Sequence, residues 1–136
     1  MGFLQNQFNN QKYNVKAYPT LGAGITLTSS ATAFTLGDFI EVLPSNITTK
    51  PFSIDCINFA AYSTPSLTYE CYLYYGESGE EVNFANLRVN SGSGTTNPHV
   101  PVKSQVFPAG TRITAKFASP STGAKTAITS IFYKED

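Results

Sequence analysis

One histidine, His99, and two cysteines, Cys56 and Cys71, are the residues of this chain best suited to metal or nucleophilic chemistry. A histidine metal site recruits several His, Cys or carboxylate ligands, and none stands at a ligand-like spacing from His99. A Ser-His-Asp triad needs no closeness in sequence, but there is no Gly-x-Ser-x-Gly elbow, and serines are too common for any one pairing to carry meaning. His99 therefore reads as a surface-loop residue. Cys56 and Cys71 flank the turn Ser63-Thr64-Pro65-Ser66. A tight hairpin there would set Cys56 nearly opposite Leu73 and diagonal to Cys71, making the sulfurs neighbours. Spacing leaves bonding open, and in a reducing compartment both thiols read as free, buried, small hydrophobes. Glu77, Glu80 and Glu81 form an acidic turn with neither a calcium-loop array of oxygen ligands nor two carboxylates held across a cleft. No catalytic residue, metal or cofactor is expected, and the chain reads as a non-enzyme. Tyrosines are the remaining candidates: Tyr72 and Tyr74 project from one strand face, opposite Tyr69, Cys71, Leu73 and Tyr75. With Tyr62 they are candidate exposed contacts for a protein surface or a sugar.

The elements that position these groups are short runs alternating apolar and polar, each closed by Gly, Pro, Asn or Ser. In Thr111-Arg112-Ile113-Thr114-Ala115-Lys116-Phe117, Ile113, Ala115 and Phe117 share one strand face and Arg112, Thr114 and Lys116 the other. Similar runs fall at about 25–29, 39–43, 52–61, 67–75, 82–90, 100–107, 111–118 and 127–133, and no segment sustains a capped helical period. The expected fold is all-β: an antiparallel β-sandwich, an eight-stranded jelly roll over 21–136, with an extended N-terminal arm over 1–20. Residues 63–66 and 108–110 read as tight hairpin turns, and 90–98, rich in Gly, Ser and Thr, reads as a flexible spacer.

The chain's 136 residues suit one domain, and 10 Phe with 8 Tyr can furnish a sheet core plus a tyrosine-rich surface. Charged residues are only 13%, nine basic against nine acidic, so no clustered cations mark a nucleic-acid or anionic-lipid surface. A neutral, hydroxyl-rich exterior also lacks the repulsion that opposes self-association. The N-terminus has neither a cationic start followed by an apolar stretch nor a cleavage site, and no run reaches membrane-spanning length. Synthesis in a cytoplasm is the expectation, which leaves the sequon Asn46-Ile47-Thr48 without meaning. In the arm, Phe3, Leu4, Phe8, Tyr13 and Tyr18 are scattered among Gln and Asn, too aromatic for a solvated tail. They are candidate contacts to a partner such as another subunit, and a frayed terminus or one that wraps its own domain explains them equally.

Several stretches carry a resemblance: Tyr18-Pro19-Thr20-Leu21-Gly22, Phe34-Thr35-Leu36-Gly37-Asp38-Phe39-Ile40-Glu41-Val42-Leu43-Pro44, Phe52-Ser53-Ile54-Asp55-Cys56-Ile57, Tyr69-Glu70-Cys71-Tyr72-Leu73-Tyr74-Tyr75-Gly76 and residues 106–116. Together they resemble small accessory virion structural proteins of tailed bacteriophages, of the head-decoration kind. The resemblance covers most of the chain beyond Pro19, and its stretches are patterns of strand and turn. It implies a non-enzymatic protein that decorates and stabilises the assembled head. Its partners would be copies of itself, in a homo-oligomer such as a trimer, and the major capsid protein or another virion protein. Nucleic acid and membrane are excluded as partners; the location would be the virion, after synthesis in a host bacterial cytoplasm. The competing expectation is a carbohydrate-binding or adsorption module on a tail or fibre.

Overall fold

A computed structural model describes residues 15–20, 24–92 and 99–135. Those residues form ten strands and no helix: β1 Val15–Tyr18, β2 Ile25–Thr28, β3 Ile40–Leu43, β4 Phe52–Ala60, β5 Thr68–Tyr75, β6 Val82–Asn90, β7 His99–Pro101, β8 Val106–Phe107, β9 Ile113–Ala118 and β10 Thr126–Glu135.

The strands make two antiparallel sheets. In the first, β10 and β4 are central, β1 and β2 lie end to end along one side of β10, and β7 and β8 lie end to end along the far side of β4. The second runs β3-β9-β5-β6. Ten strands thus occupy eight positions, four per sheet, and every connection between positions crosses from one sheet to the other except β5 to β6. That alternation is the jelly roll expected from the sequence. The observed strand bounds follow the alternating runs, with the sixth run broken into β7 and β8 around residues 102–105.

Period-two alternation builds the core. Along β4, Phe52, Ile54, Ile57 and Phe59 point inward, and a register shift where Asp55 is skipped lets the inward spacing change from two residues to three. From the other sheet come Tyr69, Cys71 and Leu73 of β5 with Ile113, Ala115 and Phe117 of β9, all fully buried. Aromatic rings link the layers: Phe59 stacks on Phe117 at 6.4 Å, Phe117 on Tyr69 at 5.0 Å and Tyr69 on Tyr62 at 5.2 Å. Val15–Tyr18, the end of the stretch read as an arm, is hydrogen-bonded to β10, and Tyr18 packs against the core.

Two local expectations are corrected. Residues 63–66 do not join a hairpin, because β4 lies in the first sheet and β5 in the second. Ser63 is tied instead to Thr126, donating its N–H to the Thr126 carbonyl at 2.9 Å and accepting the Thr126 N–H on its hydroxyl at 2.9 Å. Residues 108–110 likewise carry the chain from β8 to β9 across the sandwich. Turn-forming residues report that the chain changes direction; they do not report whether the next strand stays in the same sheet. Cys56 and Cys71 are therefore not cross-strand neighbours: Cys71 is in the core, Cys56 is half-buried on the outer side of the first sheet, and both are free thiols. The hairpin that does form is β5–β6, closed by the acidic turn, where Gly76 takes φ +122° and a Cβ would come within 2.8 Å of the Glu80 carbonyl.

Candidate functional site

The outer face of the β3-β9-β5-β6 sheet sets aromatic and polar side chains beside one another. Register fixes its rows: Lys116, Tyr72 and Asn86 stand side by side across β9, β5 and β6, and Glu41, Thr114, Tyr74 and Asn83 form the next row from β3. Beyond them Glu70 pairs with Arg88, and Thr68 with Asn90. Just before β3, Phe39 meets Tyr74 edge-on at 4.9 Å, with the Lys116 ammonium 4.2 Å above the Phe39 ring. Thr114, outward-facing by alternation, is nevertheless fully buried in this row, and its hydroxyl has no partner among the described residues. Burial also lifts the Tyr74 phenol above its ordinary pKa, with Tyr72 and Cys71 adding to the shift.

Arg112 fastens one end of this face. Its Nε donates to Glu41 at 2.8 Å, and its Nη1 to Glu81 at 3.1 Å and to the Gly76 carbonyl at 3.2 Å. The side chain joins β3, β9 and the β5–β6 turn. Burial pushes the Glu81 carboxyl upward, but hydrogen bonds from its own backbone N–H, Arg112 and the Gly79 N–H outweigh it and hold the group below the usual carboxylate range. Composition alone gave Glu81 a solvated turn; its side chain is only 6% exposed.

The tyrosines divide. Tyr72 and Tyr74 lie on the outer face, as the alternation required. Tyr62 is packed into the aromatic column instead: its ring lies on Tyr69, its hydroxyl is buried without a partner among the described residues, and burial, with Tyr69 and Cys71 nearby, pushes its phenol up to about 12. Tyr18 is half-buried on β1. Phe3, Leu4, Phe8 and Tyr13 lie outside the described residues, as does most of the 90–98 spacer.

One juxtaposition escaped the sequence. His99, on β7, brings its Nδ1 to 3.9 Å from the Cys56 sulfur, with its ring 5.5 Å from that of Phe132. The strand pairing of β4 with β7 creates the contact across 43 residues. Burial, then the Asp55 charge, raises the Cys56 thiol, only partly offset by Lys103, which is opposite to the lowering that activates a cysteine nucleophile. Among the described residues no group of three or more His, Cys, Asp or Glu is placed to hold a metal.

No protein-family model and no curated protein matches the chain. Among solved structures, it is similar to the infectious bursal disease virus VP2 subviral particle, with a TM-score of 0.45, 18% identity, and coverage of 89% of this chain and 32% of that one. It is also similar to the structure of infectious bursal disease virus Gt strain, with a TM-score of 0.44, 16% identity, and coverage of 90% of this chain and 33% of that one. The chain thus spans about a third of the length of either. At such identity the likeness concerns strand arrangement, and no residue role passes across it.

Proposed function

We propose that the chain is a non-enzymatic structural component of a virus particle: a decoration protein that binds the assembled head of a tailed phage as a homo-oligomer, a trimer on the pattern of the resemblance above. The observation that carries this reading is the eight-position jelly roll with its aromatic outer sheet face, on which Glu41 and Glu70 are balanced by Lys116 and Arg88. The core is filled by interlocking rings, and what remains for function is surface. Many weak, neutral contacts repeated over symmetric copies reinforce a shell without high affinity at any one of them. Phe3, Leu4, Phe8, Tyr13 and Tyr18 are proposed as the attachment set. The test is co-sedimentation of full-length protein with assembled heads and, separately, with unassembled major capsid protein. Binding to heads alone, lost in a Phe3→Ala, Leu4→Ala, Phe8→Ala triple variant, is the expected result. Failure to sediment with heads would remove the decoration reading, and full binding by the triple variant would remove the attachment role of the arm.

A further inference from the structure

Phe34 is 80% exposed, far more than any other large apolar residue described, and it adopts a left-handed φ of 59°. Bulky residues avoid that conformation, so a ring held there and offered to solvent points to something that uses it. The position is fixed: the Phe34 N–H donates to the Ser119 carbonyl at 2.7 Å, hanging the ring beside the end of β9. It stands over a groove lined by Leu67, Thr68, Glu70, Arg88, Ala118 and Pro120. A smaller recess lined by Tyr72 and Asn86 shares Glu70 and Arg88 with it, so the depression continues across β5 and β6.

We infer that this groove is a binding site for a neutral oligosaccharide, with Phe34 as the stacking platform. Sugar rings carry an apolar C–H face, which a flat aromatic ring covers, and hydroxyl pairs, which planar or forked polar groups engage two at a time. The groove supplies both. Thr68, Glu70, Arg88, Tyr72 and Asn86 line it from successive cross-strand pairs: Thr68 Oγ1 accepts from Asn90 Nδ2 at 3.0 Å, Arg88 Nε donates to Glu70 Oε2 at 3.0 Å, and Tyr72 stands opposite Asn86. The Glu70–Arg88 pair cancels its own charge and uses one atom from each partner, so the site favours an uncharged ligand rich in donors and acceptors. A second copy of the chain fits less well. Protein interface cores are apolar and depleted of charge, whereas here one ring overhangs a concave bed of Thr, Glu, Arg and Asn. Neither Tyr62 nor Tyr74 is needed: the first is stacked in the core and the second is covered by Phe39.

The test uses full-length protein on immobilised trisaccharides of glucose, mannose and galactose beside sialylated controls. Its variants are Phe34→Asn, which suits the left-handed backbone, Arg88→Ala, and Val106→Ser as a change at an exposed apolar residue elsewhere. The expected result is binding to at least one neutral trisaccharide, weakened tenfold or more by Phe34→Asn and by Arg88→Ala and unchanged by Val106→Ser. Silence on every neutral glycan, binding confined to the sialylated controls, or binding indifferent to Phe34→Asn overturns the inference. So does an oligomer, seen by light scattering, that falls to monomer in Phe34→Asn, since the ring would then be a subunit contact. Head binding is read separately, so failure here leaves the decoration reading standing and the reverse also holds.

Discussion

Arg112 and Glu135 each join segments far apart in the chain through more than one hydrogen bond. Arg112→Ala removes the guanidinium that holds Glu41, Glu81 and the Gly76 carbonyl together and should lower the urea midpoint more than Glu41→Gln does at the 43% exposed end of the same network. Equal losses would show that the guanidinium does not act through all three. Glu135 accepts from the Lys16 ammonium at 2.6 Å and from the Thr49 N–H at 2.9 Å, and these two bonds, in that order, hold its carboxyl below the usual range. A carboxyl lowered on folding contributes stability at every pH above its unfolded value of about 4.3, and that contribution is lost as pH falls through the lower folded value. Acidification below about pH 4 should therefore lower the urea midpoint, and Glu135→Gln should flatten that acid limb. An unchanged limb in the variant would mean that other carboxylates set it. Neither role was legible in the sequence, because both depend on partners 31 and 119 residues away.

Strand alternation made the elements readable. The runs around Ile113 to Phe117 and Tyr69 to Tyr75 place every inward and outward side chain as observed on β9 and β5, because one face is buried and a one-residue slip would expose it. Connectivity was less legible. The turns at 63–66 and 108–110 have hairpin composition yet span the two sheets, and with them went the supposed nearness of Cys56 to Cys71. The aromatic groove on the second sheet escaped as well, since Phe34 reaches it from the loop before β3 while Glu70 and Arg88 come from strands far along the chain. Gly37 shows how that loop is held. Its N–H donates to the Phe117 carbonyl at 2.9 Å, and a Cβ on it would fall 2.4 Å from the Thr28 carbonyl oxygen. Backbone cannot give way there as a flexible side chain would. Gly37→Ala should lower stability by about 2 kcal/mol or more, and Leu73→Ala, which empties a fully buried site between the sheets, by about 2–5 kcal/mol. A neutral Gly37→Ala would show that the loop packs less closely on β2 than described.

For the molecule as a whole, function follows from what its surfaces leave unfinished. Most sheet edges are short or interrupted: β1 and β2 break one, β7 and β8 another, and β3 is four residues long. β6 is different, nine residues with one side unpaired among the described residues, and an edge of that length invites a further strand. A symmetric assembly is the setting in which such an edge and a neutral, aromatic face serve rather than endanger a protein. Light scattering on the full-length protein should accordingly give a discrete homo-oligomer whose mass holds across a tenfold dilution. A mass that rises continuously with concentration would indicate open-ended edge pairing instead. The most direct test of a structural role in the particle is quantitative mass spectrometry of purified virions produced from the genome that encodes the chain. The account predicts many copies per particle, in fixed proportion to the major capsid protein and retained with the heads after tails are removed. Absence from purified particles, or a trace amount unrelated to capsid copy number, would contradict it.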